Sequence, residues 1–256
     1  MANALNDRHA LVTGGGRGIG AAIAAALAAE GCRLTLLGRD RARLESRARE
    51  LPGKVEVVLA DVADRAQVAS AFAAARVASG EVDILVNNAG QAMSASLAKT
   101  DAELWQRMLA VNLTGTYHCV REAAPAMIAR GYGRIVNVAS TAGLVGFAYC
   151  AAYCAAKHGV VGMTRALALE FAARNVTVNA VCPGFTETDL IRDTLANIQR
   201  KTGRSETEAV AALVAHNPQR RLIQPAEVAN AVLWLCLPGA ESMTGQSIAV
   251  AGGEVT

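Results

Sequence analysis

Apolar, β-rich runs alternate with alanine-rich segments of helical spacing along the whole chain. HALVTGG (9–15) predicts a strand and IGAAIAAALAAEG (19–31) a helix closed by Gly31. The pattern then repeats: strand CRLTLLG, a helix from Asp40 to about Leu51, strand KVEVVLADV, a helix from Asp64 to about Ser79, and strand VDILVNN. A long helix from about Asp101, strand GRIVNVAS, a helix through Tyr153 and Lys157, strand VTVNAVCPG and strand QSIAVAGG complete it. The strands are apolar throughout rather than alternating. Strands of that kind, separated by helices, build a parallel sheet covered on both faces, an α/β fold. No linker or composition break divides the chain, so one domain spanning 1–256 is expected. The strandless, more polar stretch at about 185–224 follows a strand end, where a lid over a ligand belongs.

Hydrophobic residues make up 52% of the 256 and charged residues 18%, which suits a filled core and excludes a disordered chain. The formal charge of +3 is small and dispersed, which argues against nucleic acid and acidic membrane surfaces as partners. The N-terminus has no basic flank followed by an apolar signal core, and no run reaches the ~18 apolar residues of a membrane span. Six cysteines, at 32, 119, 150, 154, 182 and 236, lack the pairing and histidine neighbours of a metal site. Reduced, mostly buried thiols of a cytoplasmic protein without a metal are the expectation.

Between the first strand and first helix stands TGGGRGIG (13–20), in which Gly14, Gly18 and Gly20 are spaced GxxxGxG around Arg17 and Ile19. Glycines there let the backbone turn tightly against a pyrophosphate, whose charge the helix N-terminus meets. At the tip of the second strand, where a carboxylate would grip an adenosine ribose, the sequence has Gly38 followed by Arg39. A glycine leaves room for a 2′-phosphate, and Arg39 with Arg17 could clamp it, which favours NADP(H). Asp40 keeps NAD(H) open, since a small backbone shift could aim it at the 2′-hydroxyl.

TGGGRGIG, Asp61-Val62, NNAG (87–90), Asn112, Ser140, Tyr153 with Lys157, and Pro183-Gly184 followed by Thr188 together resemble the short-chain dehydrogenase/reductase family. The likeness covers essentially the whole length. It implies a Rossmann-like, doubly wound sheet of seven parallel strands, nicotinamide chemistry, and a homotetramer. It also separates the two tyrosines of AYCAAYCAAK (148–157). Tyr153 lies one helical turn from Lys157, so both share a face, and an ammonium there is expected to lower the phenol's pKa toward a usable general acid/base. Tyr149 is too far from the lysine and is expected to wall the pocket near the substrate. The resemblance casts Ser140 as the hydrogen-bond partner of the substrate oxygen and Lys157 as a further ligand of the nicotinamide ribose. Asn112 would hold a proton-relay water; the same amide could instead satisfy the backbone of a bent helix. Asp61 and Val62 would flank the adenine; Asn88, Ala89 and Gly90 would line the cofactor; Pro183, Gly184 and Thr188 would position the nicotinamide. Ala251 departs from the acid many relatives carry before the final glycine pair, at a position expected to serve subunit packing.

The stretch after Ser140 (TAGLVGF) is small and apolar, while the lid mixes Leu195, Ile198, Leu213 and Val214 with Lys201, Arg204, Arg220 and Arg221. An apolar acyl pocket with a cationic rim suits an acyl-CoA or an acyl carrier protein thioester. The runs NVTVNAVCPGFTET and ASTAGLVG resemble β-ketoacyl and polyketide ketoreductases and 3-hydroxyacyl-CoA dehydrogenases. A dehydrogenase of small alcohols or cyclic ketones is the alternative. A catalytically silent nucleotide sensor would be expected to lack Ser, Tyr or Lys, and all three are present.

Overall fold

The computed structural model describes residues 3–203 and 205–255, apart from the side chains of Leu190, Asp193, Asn197, Ile198 and Lys201. Its strands are β1 (His9–Thr13), β2 (Arg33–Gly38), β3 (Val55–Leu59), β4 (Ile84–Asn87), β5 (Gly133–Val138), β6 (Val176–Pro183) and β7 (Ser247–Val250). They form one sheet in the order β3-β2-β1-β4-β5-β6-β7, with every pairing parallel. Strand order reverses between β1 and β4, and the crevice beyond their C-terminal ends is where such sheets bind ligands.

Helices α1 (Gly18–Ala29), α2 (Arg41–Glu50) and α9 (Pro225–Cys236) cover one face; α3 (Arg65–Ser79), α5 (Gly115–Arg130) and α6 (Ala151–Phe171) cover the other. Alternation along β1 serves both layers, with Ala10 and Val12 turned to the first and Leu11 to the second. Asp40 and Asp64 cap α2 and α3 by accepting backbone N–H groups of the first turn. Helix α1 has no such cap: Arg17 precedes it, its side chain makes no capping bond, and no acid stands in the first turn. Its N-terminal donors therefore face the crevice free of the protein's own acceptors.

The long helix expected from Asp101 is two helices. Asp101 caps α4 (Ala102–Leu109), and a wider π-turn (Ala110–Thr114) leads into α5. The lid region consists of α7 (Asp189–Thr202) and α8 (Glu206–Leu213). Its neck is pinned where Ile223 N–H donates to Phe185 O at 2.9 Å and Glu187 N–H to Ile223 O at 2.9 Å. Helix α9, which has no counterpart among the sequence expectations, opens on Pro225 and packs along α1. Among the described residues, no helix is long and apolar enough to cross a membrane.

Candidate active site

A cleft of about 1310 Å³ runs along the C-terminal edge of the sheet, from Arg39 and Asp61 at one end to Ser140, Tyr153 and Lys157 at the other. Gly14, Arg17, Gly18 and Ile19 line it, as do Val62, Asn88, Ala89, Gly90, Asn112, Pro183, Gly184 and Thr188. Gly14 takes φ +67°, and a Cβ there would lie 2.9 Å from Asn88 Nδ2 and 3.1 Å from Ala89 Cα. Only glycine allows that approach without strain. Gly20 lies beneath the cleft rather than in its wall: a Cβ would run into Gly14 O, so this glycine closes helix onto strand. Thr13, which carries no role in the sequence expectations, holds the two strand ends together. Its hydroxyl accepts from Asn88 N–H at 2.9 Å and Ala89 N–H at 3.0 Å, and Asn88 Nδ2 donates back to Thr13 O at 3.0 Å. The bare α1 N-terminus, the glycine cradle and the length of the cleft fit a dinucleotide.

At the far end, Gly38 lines the cleft without a side chain; a Cβ there would make ordinary contact with Leu44, 3.5 Å away. Arg39 donates to Asp61 Oδ2 at 3.4 Å, and Arg17 pairs with Asp189 of the lid at 3.9 Å. In the protein alone, both cations thus rest on carboxylates instead of standing as a ready clamp. Asp40 lines the same end of the cleft. It caps α2 and pairs with Arg43 Nε at 3.0 Å, so its carboxylate is already engaged within the protein. Arg41 and Arg43 line the cleft as well and add further cations to this end. Val62 is locked by Gly115 of α5, where a Cβ would fall 2.7 Å from Val62 Cγ2.

At the deep end, Ser140 closes β5 with extended backbone, and its Oγ accepts from Ala142 N–H at 3.1 Å, leaving the hydroxyl proton for another acceptor. Tyr153 and Lys157 project from α6 into the same space, with the Ser140 side chain beside the Tyr153 phenol. Lys157 Nζ donates to Val138 O at 2.9 Å and stands 5.8 Å from the centroid of the Tyr153 ring. The expected lowering of the phenol's pKa is not what this arrangement produces. Burial pushes Tyr153 up to about 12 against the opposing effect of Ser140, and burial lowers Lys157 from 10.5 to about 8. Desolvation is the dominant cause, and the Lys157 ammonium, held by Val138 O and itself disfavoured by burial, does not offset it.

Asn112 sits in the π-turn. Its Nδ2 donates to Gln91 O and Met108 O, both at 3.0 Å, and its Oδ1 accepts from Gln91 N–H at 3.1 Å. The side chain thus satisfies the bent helix and roots the loop after β4, and both its amide donors are taken. A Cβ at Gly90 would lie 2.8 Å from Asn112 Oδ1 and 3.7 Å from Lys157 Nζ, so glycine keeps this corner open.

Tyr149 is a correction: its ring is 69% exposed and forms no part of the cleft wall. Left-handed backbone, φ +64°, turns it outward just before α6 begins. The aromatic wall is Phe147, packed edge-on against Phe185 of the lid neck at 6.1 Å, and it faces Ala92 and Met93, with Ile191, Thr194 and Leu213 from the lid. The cationic rim is corrected too. Arg221 forks onto Glu227 at 2.6 and 2.7 Å, and Arg220 is exposed away from the cleft wall. Arg204 and the Lys201 and Ile198 side chains lie outside the described residues. Ala251 stands next to Gly184, where an added Cβ would come within 3.3 Å of Ala251 Cα.

A glycine-cradled nucleotide cleft ending in serine, tyrosine and lysine defines a nicotinamide-dependent oxidoreductase that interconverts a ketone and a secondary alcohol. The chain belongs to the short chain dehydrogenase family, whose model matches residues 8–199. It is 43% identical to a Streptomyces violaceoruber protein assigned as ketoacyl reductase 1 of the granaticin polyketide synthase, over 95% of this chain and 92% of that one. It is 36% identical to D-beta-hydroxybutyrate dehydrogenase of Rhizobium meliloti, over 96% and 98% of the two chains. Among solved structures, a variant of actinorhodin polyketide ketoreductase with NADPH superposes with a TM-score of 0.93 at 39% identity, covering 99% of both chains.

Proposed function

We propose that this chain is an NADPH-dependent reductase of 3-oxoacyl thioesters, carried on CoA or an acyl carrier protein. It would work as one cytoplasmic domain assembled into a homotetramer. The observation that carries the reading is the wall around the reacting end. Beyond Ser140 and Tyr153, the cleft is bounded by Ala92, Met93, Phe147, Phe185, Ile191 and Leu213, an apolar sleeve for an acyl chain. Support for NADPH comes from a glycine at 38, where a carboxylate would repel a 2′-phosphate, from the cations Arg39 and Arg43 beside it, and from the engagement of Asp40 by the α2 N-terminus and Arg43. The NADPH in the actinorhodin ketoreductase structure agrees with it. Trp105 and Tyr117 of α4 and α5 and Trp234 of α9 remain exposed, as side chains awaiting other subunits would.

Bound nicotinamide would supply hydride to the carbonyl carbon. Tyr153, protonated throughout the neutral range, donates its phenolic proton to the carbonyl oxygen. The Ser140 hydroxyl donates a hydrogen bond to the same oxygen as charge develops there. Lys157, held by Val138 O, places positive charge beside the phenolate left behind.

Reduction of acetoacetyl-CoA, followed by loss of nicotinamide absorbance, tests the reading. NADPH should serve better than NADH, and Arg39→Ala should narrow that preference about tenfold, the worth of one charge-assisted contact to phosphate. Asp61→Asn, which frees Arg39, should widen it. A preference for NADH, or 2-propanol oxidised more efficiently than the thioester is reduced, would move the assignment to a small-alcohol dehydrogenase.

A further inference from the structure

Among the described residues, five non-glycine positions carry left-handed backbone: Asn3, Asp7, Asn175, Arg220 and Tyr149. Asparagine and aspartate adopt this conformation readily, whereas for a bulky side chain it is strained, and such strain gathers at functional sites. Tyr149 recovers little of the cost through packing, because its ring is mostly exposed. What the conformation achieves lies in the backbone. It aims the Tyr149 carbonyl at the Ala95 N–H, which donates to it at 2.8 Å.

That bond ties together two segments that both line the substrate half of the cleft. Gln91, Ala92, Met93 and Ser94 line it from the loop after β4, and Phe147, Ala148 and Cys150 from the turn before α6. The first loop is rooted at Gln91 by Asn112 and at its far end by Ser96, whose carbonyl accepts from Lys99 N–H and Thr100 Oγ1. The stretch between these anchors meets the turn before α6 at Ala95.

We propose that Tyr149 is a strained clasp that sets the width of the substrate pocket: closed, it narrows the cleft around slim acyl groups; open, it admits bulky ones. The hydrogen bond favours the closed form and left-handed tyrosine backbone favours the open one. The two effects are of the same order, so both forms are populated. A glycine would hold the clasp shut. The proposal rests on the reading of the cleft as a ketone-reducing site, and places specificity in a main-chain equilibrium beside it.

The test compares Tyr149→Gly, Tyr149→Ala and Tyr149→Asn by hydrogen exchange of the Ala95 amide in the nucleotide-free protein. The same proteins are assayed for reduction of ethyl acetoacetate and ethyl benzoylacetate. In Tyr149→Gly, Ala95 exchange should slow about tenfold, the equilibrium factor set by the strain relieved. The benzoyl-to-acetyl ratio of kcat/KM should fall by a similar factor. Tyr149→Ala keeps the backbone penalty without the ring and should match the wild type, with Tyr149→Asn between. Equal behaviour of the glycine and alanine variants, or Ala95 exchange indifferent to glycine, would overturn the clasp. Failure of the wild type to reduce either keto ester would count against the ketoreductase reading, while amide exchange would still decide the clasp.

Discussion

Tyr153 and Lys157 are shifted by the same burial in opposite senses, and each shift has consequences for pH. Lys157 titrates at about 8 in the fold against 10.5 ordinarily, so its buried ammonium costs stability in full below pH 8, and the cost is relieved as pH rises from there to 10.5. Tyr153 is raised from 10 to about 12, so its contribution is present below pH 10 and lost between 10 and 12. In catalysis the phenol stays a competent donor up to high pH, while the charge supporting its phenolate disappears near 8. Ketone reduction should therefore be level through neutrality and decline above about pH 8, read from the profile of kcat/KM. A profile rising across pH 8 would contradict this. Tyr153→Phe should reduce turnover by roughly 10²–10⁴-fold, the usual worth of a positioned general acid, with nucleotide binding retained in a fluorescence titration. The Tyr-Lys pairing was legible at this scale because one helical turn forces both side chains onto one face. The direction of the phenol's shift was not, because desolvation depends on everything that surrounds the helix.

At the scale of elements, the bend between α4 and α5 joins packing to chemistry. The π-turn places Asn112 so that one amide satisfies Met108 O and both polar groups of the Gln91 backbone. Asn112→Ala leaves those groups without their partner at a cost of about 1–3 kcal/mol for each one kept from water. The variant should lose thermal stability, by roughly 2–4 °C per kcal/mol in a chain of this size, as well as turnover. Turnover lost with an unchanged melting temperature would instead favour a role confined to proton relay. Strands and helices up to β6 follow the sequence expectations to within a few residues, since apolar runs and aspartate caps are local signals. The π-turn escaped because nothing in AVNLT breaks helical spacing. Helix α9 carried a start signal in Pro225, but its place along α1 is a tertiary fact.

For the molecule as a whole, the buried His9 ties the sheet to the end of α3. Its Nδ1 lies 2.8 Å from Gly80 O and its Nε2 2.8 Å from Thr35 Oγ1. Burial lowers its pKa below the ordinary 6.5, so the ring stays neutral in the fold. The unfolded chain then takes up the proton first as pH falls, and stability present above pH 6.5 is lost below it. The melting temperature should drop between pH 7.5 and 5.5. His9→Asn, less stable at neutral pH, should show a smaller drop; an equal one would assign acid sensitivity to other groups.

By itself, the sequence determined the parallel α/β sheet, the glycine loop after β1, and the shared helix face of Tyr153 and Lys157. Each rests on short-range physics: hydrophobic periodicity, glycine where a Cβ cannot fit, and i, i+4 adjacency. Only the tertiary structure decided which charges are free and which walls face the substrate. Asp61, Asp189 and Glu227 hold Arg39, Arg17 and Arg221, partners 22, 172 and 6 residues away in the chain. Tyr149 and Phe147 differ by two positions, yet one faces water and the other the cleft, because a single left-handed φ turns the chain between β5 and α6. Such outcomes depend on which distant groups meet, and local pattern holds no record of that.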